Sequence, residues 1–239
     1  MQGFPVEEDQ LQKIITMKKI TFLIAGILLF SVPGACKPSN DSNKQAEAIA
    51  QKEQTPVQTE TVEGLKKAYF ASGCFWCVEA IYESVKGVKE AISGYSGGET
   101  KNPTYQNHAD HAEAVEVIYD PVVVSFSQLV DVYFGSQNIT QVNGQGPDHG
   151  TSYRSIIFYQ NDAEKKIIDE KISALNKQLN GDKVAAQVLP FQKFWKAEAY
   201  HQNYERNNPD NPYIQNVSIP RLNRFKEKFP ELLKEDSTH

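Results

Sequence analysis

The chain has 239 residues, 40% of them hydrophobic and 23% charged, with a net charge of −5. That length calls for one main domain, and with no long basic run the chain has no electrostatic footprint for nucleic acid. Sulfur is scarce, with three cysteines and two methionines, so the positions of the cysteines carry information.

Residues 1–16 include Glu7, Glu8 and Asp9, which do not suit the basic start of a signal, so they read as an upstream extension and Met17 as the initiator. Met17-Lys18-Lys19 feeds an apolar run from Ile20 to Phe30 that is too short to span a bilayer, which predicts a secretory signal over residues 17–36. The run ends in Val32-Pro33-Gly34-Ala35-Cys36, which resembles the lipobox of bacterial lipoproteins, with Pro33 where Leu is usual. The expectation is an exported protein, periplasmic or anchored to a membrane through an acylated Cys36. Residues 37–64 are polar with almost nothing to bury and read as a flexible tether. The folded domain is expected over residues 65–239, with a helical C-terminal tail.

Within the domain, Lys67 to Ala71 reads as a strand. Val78, Ile81, Tyr82 and Val85 then fall at helical spacing up to a stop at Gly87. Val88 to Tyr95 is a second strand, closed by the turn signal Ser96-Gly97-Gly98. In a third, Glu113, Val115, Val117 and Tyr119 alternate with Ala114, Glu116 and Ile118. Ser125 to Phe134 is the clearest helix, with Ser125 and Gln128 in capping-box spacing. After a polar loop from Gln137 to Ser152, the pattern predicts a strand over Arg154 to Tyr159 and a helix opened by Asn161 and closed by Gly181. A strand over Val184 to Leu189 and short helices over Ala199 to Glu205 and Arg221 to Lys234 complete the chain. This alternation predicts an α/β (α+β sandwich) fold, a mixed central sheet with helices packed against it. No internal repeat is visible.

Two of the three cysteines sit in Ser72-Gly73-Cys74-Phe75-Trp76-Cys77, at the junction of the first strand and the first helix. One reading makes them small buried hydrophobes. The other, which Ser72-Gly73 and the bulky Phe75-Trp76 favour, makes Cys74 a nucleophile whose thiol the helix N-terminus acidifies. Glu113 interrupts an otherwise apolar strand face. It is either a strand-end residue reaching solvent or a desolvated carboxyl whose raised pKa suits it to donate a proton near neutral pH.

The segments Gly73-Cys74-Phe75-Trp76, Asn102-Pro103-Thr104-Tyr105, His111-Ala112-Glu113-Ala114-Val115 and Asp148-His149-Gly150-Thr151-Ser152-Tyr153-Arg154-Ser155 resemble, in order, the motifs of the A-type peptide methionine sulfoxide reductases, over roughly residues 67–206. The resemblance implies an oxidoreductase that reduces the S epimer of methionine sulfoxide, free or in oxidised proteins, and leaves the R epimer untouched. It implies Cys74 as nucleophile, Glu113 as proton donor, Tyr105 and Tyr153 as hydrogen-bond donors to the sulfoxide oxygen, and Asp148 as the residue that orders the site. Phe75 and Trp76 would wall the pocket for the substrate methyl group. His111 and His149 fall inside the motifs without a catalytic role. The family often resolves the resulting sulfenic acid with C-terminal cysteines. None follows Cys77 here, so the implied partner is Cys77, through a Cys74–Cys77 disulfide reduced by a thioredoxin-type protein or, in vitro, dithiothreitol. No bound cofactor or metal is expected, and the protein is expected to be a monomer.

A general thiol-disulfide oxidoreductase shares C-x-x-C at a helix start but has no need of Glu113 or the tyrosine loops. A haem- or zinc-binding lipoprotein fits less well, because Val78 stands where haem attachment needs His and no second ligand pair completes a zinc site.

Overall fold

The computed structural model describes residues 54–235. The proposed signal, Cys36 and the tether up to residue 53 lie outside the described residues. Residues 54–64, which composition assigned to the tether, are instead tied to the domain. Val57 N–H donates to the Phe191 carbonyl at 2.8 Å, Thr59 N–H and hydroxyl both donate to Gln160 Oε1, and Val62 bridges Leu65. Their low hydrophobicity did not prevent order, because hydrogen bonds to the rim of the sheet hold them.

Strand β1 (Lys66–Ala71) leads through Ser72-Gly73-Cys74 into helix α1 (Phe75–Glu83), followed by β2 (Val88–Ser96) and β3 (Ala112–Tyr119). Helix α2 (Phe126–Gly135) opens on the expected capping box, with Ser125 and Gln128 satisfying each other's backbone N–H. The polar loop after it holds a small hairpin, β4 (Gly144–Gln145) and β5 (Asp148–His149), which periodicity cannot reveal in two-residue strands. Then come β6 (Ile156–Tyr159), α3 (Asp162–Asn176), β7 (Gln187–Pro190), β8 (Trp195–Lys196), the single turn α4 (Tyr204–Asn207) and α5 (Ile219–Lys228).

The main sheet runs β7-β6-β1-β3-β2-β8, antiparallel throughout except for the parallel β6–β7 pair, so it is mixed as expected. Alternation along β1 and β3 splits two apolar clusters. Phe70, Val115, Val117 and Tyr119 face α1, α2 and α5, while Tyr69, Ala71 and Ala114 face Phe158 and Phe191. Buried hydroxyls fix the layers: Tyr133 donates to the Ala71 carbonyl at 3.0 Å and Tyr82 to the Leu129 carbonyl at 3.1 Å.

Several boundaries differ from those predicted. The strand expected from Arg154 starts at Ile156, because Thr151–Tyr153 forms a 3₁₀ turn and the Arg154 side chain reaches back to the Gly97 and Asp110 carbonyls. Helix α3 ends at Asn176, whose side chain accepts Val184 N–H and so withholds Val184 from β7. The helix expected over Ala199 to Glu205 is broken at Gln202, whose amide pairs with the backbone of Ser93. The last helix starts earlier, after a π-turn over Ile214–Ser218, and stops at Lys228 before Pro230.

Candidate active site

The turn from β1 into α1 sets the position of the first cysteine. Gly73 has φ +83, and a side chain there would meet Gln145 Cβ at 2.5 Å. Only a residue without a side chain can make this turn and let β4 approach. Cys74 is then the N-cap of α1, and Phe75 N–H at the open end of the helix donates to Glu113 Oε2 at 2.9 Å. Glu113 arrives from β3, opposite Tyr95 in register, and is 2% exposed.

Cys74, Phe75, Trp76, Tyr105, Glu113, Asp148, Tyr153, Asn211 and Tyr213 line a cleft of about 220 Å³. The fold thus brings together all five residues expected to be catalytic and both aromatics of the expected wall. Cys77, one turn further along α1, lies beneath: its Sγ is 3.7 Å from Tyr213 Oη. The β2–β3 connection presents Tyr105. Its N–H donates to Glu198 Oε1 at 3.0 Å, and His108 shares hydrogen bonds with the Tyr105 carbonyl (3.1 Å) and Ser152 Oγ (2.8 Å), which joins this loop to the turn bearing Tyr153.

Burial decides the proton states. It raises the Glu113 carboxyl to about 8, against the opposing pull of the Phe75 N–H, so at neutral pH this side chain is mainly a neutral acid. Tyr105 and Tyr153 are raised by the same cause and keep their O–H donors. The expectation that the helix end acidifies Cys74 is not met. Burial pushes this thiol well up, the neighbouring Cys77 and Glu113 push the same way, and the nearest helix N–H is already committed to Glu113. Cys77 is instead lowered, chiefly by its neighbour Cys74 and also by the Arg221 guanidinium, against the opposing effect of burial. The two thiols are neighbours and titrate as a pair.

Several residues of the site come from the tail and escaped the sequence analysis. Tyr213 donates to Asp148 Oδ2 at 2.6 Å. Trp76 Nε1–H donates to His201 Nδ1 at 3.1 Å, and its ring stacks on Tyr204 with centroids 3.7 Å apart. Arg221, 8% exposed, donates to the Ser72 carbonyl and hydroxyl and to the Ser136 carbonyl, all neutral acceptors. The one signal for this region was its density of aromatic residues. His111 is a buried structural residue bonded to the Thr100 carbonyl and Gly98 N–H, and His149 is exposed. Among the described residues, no three His, Cys, Asp or Glu side chains cluster as a metal ion's ligands would.

The family model described as peptide methionine sulfoxide reductase matches residues 66–233. The chain belongs to the peptide methionine sulfoxide reductase family. It is 44% identical over 173 residues to peptide methionine sulfoxide reductase MsrA of Pasteurella multocida, covering 71% of this chain and 99% of the relative. It is 38% identical to MsrA of Saccharolobus solfataricus over 71% and 98%. Among solved structures it resembles reduced Mxr1 of Saccharomyces cerevisiae, with a TM-score of 0.59 at 31% identity over 64% of this chain and 91% of the other. It also resembles methionine sulfoxide reductase A of Corynebacterium diphtheriae, with a TM-score of 0.56 at 31% identity over 63% and 78%. This A-type reductase is therefore an oxidoreductase that reduces methionine sulfoxide by thiol chemistry and serves protein repair, and the general disulfide oxidoreductase and the haem or zinc lipoprotein are set aside.

Proposed function

We propose that the domain reduces the S epimer of methionine sulfoxide, free and in proteins, with Cys74 as nucleophile, Glu113 as proton donor and Cys77 as resolving thiol. The observation that carries this reading is the buried, neutral Glu113 carboxyl in the same cleft as Cys74. Phe75 and Trp76 wall the substrate methyl group, Trp76 being fixed by His201 and Tyr204. Tyr105 and Tyr153 donate hydrogen bonds to the sulfoxide oxygen, and Asp148 orders the cleft through Tyr213.

Glu113 donates its proton to the sulfoxide oxygen as Cys74 Sγ attacks the sulfur, and it recovers a proton from the Cys74 thiol. The hydroxyl passes to Cys74, methionine leaves, and Cys74 is oxidised by two electrons to a sulfenic acid. Cys77, the more acidic thiol, attacks that sulfur as its thiolate. Hydroxide leaves, takes a proton from Glu113 to become water, and the Cys74–Cys77 disulfide remains. A thioredoxin-type dithiol returns both cysteines to thiols. Wild type with such a donor is expected to consume only the S form of methyl p-tolyl sulfoxide. Cys77→Ser is expected to complete about one turnover and stop unless a small thiol is added. Sustained turnover by Cys77→Ser on the protein donor alone would remove Cys77 from the resolving role.

For the N-terminal part, we infer export through residues 17–36, acylation of Cys36, and a monomeric enzyme in the periplasm or on the membrane, on the sequence pattern described above. Mass spectrometry of the mature N-terminus is expected to find a diacylglyceryl group on Cys36, and a start at any other residue would contradict this.

A further inference from the structure

We propose that Cys77 has its own entrance, a cationic cleft separate from the substrate cleft, which admits a small anionic thiol to reduce the Cys74–Cys77 disulfide at the Cys77 sulfur. The inference rests on the assignment of Cys77 as resolving thiol. A second cavity of about 710 Å³ adjoins the site, within the size of ordinary small-ligand pockets. Cys77 lines it and Cys74 does not, whereas Cys74 lines the substrate cleft and Cys77 does not. The two cavities share Asp148 alone, so the hydrogen-bonded Tyr213–Asp148 pair stands at their boundary. Each of the two cysteines thus lines a different cavity.

The second cavity differs in charge from the first. Arg221, Arg224 and Lys228 from α5 line it, against one carboxylate, Asp148, whose Oδ2 already accepts from Tyr213. Arg221 is buried on neutral acceptors, and a buried charge favours an anion beside it. Arg224 is exposed and Lys228 is exposed with its ammonium 5.3 Å from the Phe229 ring, so both heads are open to a ligand. The cavity therefore attracts anions, and Cys77, 2% exposed, lies on its wall.

The exchange balances in two steps. The incoming thiolate bonds to Cys77 Sγ, the Cys74–Cys77 bond breaks, and the electron pair leaves on Cys74. Glu113, a wall of the same cleft as Cys74, regains a proton from water after the resolving step and supplies it to the departing Cys74 sulfur. A second thiolate then attacks the mixed disulfide at the sulfur of the first reductant molecule and expels the Cys77 thiolate, which Arg221 accommodates. The reductant is oxidised to its disulfide and both cysteines are restored.

The test starts from full-length protein oxidised by one equivalent of sulfoxide without reductant. Its disulfide is then reduced by 2-mercaptoethanesulfonate or by neutral 2-mercaptoethanol at low salt. In the double variant Arg224→Glu, Lys228→Glu, the ratio of the sulfonate rate to the neutral rate is expected to fall about tenfold, and added salt should shrink the wild-type ratio. An unchanged ratio overturns the proposal. In a Cys74→Ser background, the rate at which anionic 5,5′-dithiobis(2-nitrobenzoate) labels Cys77, relative to neutral 2,2′-dithiodipyridine, is expected to fall on the same two substitutions. This second measurement needs no disulfide. If no thiols are lost on turnover, the assignment of Cys77 as resolving thiol fails, while labelling of Cys77 still decides the nature of the cleft.

Discussion

Cys74→Ser is expected to lower sulfoxide turnover by at least about 100,000-fold, because a hydroxyl neither attacks the sulfoxide sulfur nor accepts its oxygen to form a sulfenic acid. The residue is the N-cap of α1, and Ser is a good N-cap, so the fold should survive. Thermal unfolding close to wild type, together with the absence of any oxidised Cys77 species after exposure to substrate, checks that the loss is chemical. Residual turnover above about one part in 100,000 would mean that another thiol can start the reaction, and Cys77 would be the one to examine.

Glu113→Gln is expected to lower kcat by about 100- to 10,000-fold, the usual contribution of a positioned proton donor. The amide keeps an oxygen for Phe75 N–H but has no acidic proton. In wild type, activity should fall as pH rises through about 8, where Glu113 ionises, and the variant should lose that limb. The same group leaves a mark on stability. Its folded-state pKa lies above its unfolded one, so its contribution is full at pH values below the ordinary glutamate value and is lost as pH rises through about 8. The stability of Glu113→Gln relative to wild type should therefore increase with pH across that window, by up to about 1.4 kcal/mol per pH unit. A wild-type profile that Glu113→Gln leaves unshifted would assign the ionisation to another group.

The parts of the site that could be read in advance were those with a local signature. C-x-x-C at a strand-to-helix junction and a lone Glu on an apolar strand face mark themselves within a few residues, whereas the role of Glu113 and the places of Tyr105, Tyr153 and Asp148 came with the family resemblance. Strands β1 to β3 and helix α2 followed from their periods, because their alternating or helical faces bury against one core. What stayed hidden is delivered one side chain at a time by turns. Tyr213, His201 and Glu198 sit in the stretch between β8 and α5, and Arg221 lies in α5, where the sequence predicted a helix and nothing more. Each meets its partner across 65 to 149 residues, a distance that no local pattern encodes. The error about Cys74 has the same origin. The helix dipole is visible in sequence, whereas the burial that outweighs it depends on β3 and the tail closing over the thiol.

The bond from Arg221 to Ser72 spans 149 positions, and it bears on the chain as it is being made. Synthesis proceeds from the N-terminus, so Cys74 and Cys77 emerge long before the guanidinium that will sit beside them and the tail that will bury them. During that interval Tyr105, Glu113 and Tyr153 emerge in turn, but the two thiols still lack Tyr213 and Arg221. The difference between the surroundings of the two cysteines therefore belongs to the finished molecule. A nascent or C-terminally shortened chain would carry the complete cysteine motif without Tyr213 beside Cys77 or Arg221 on the Ser72 turn.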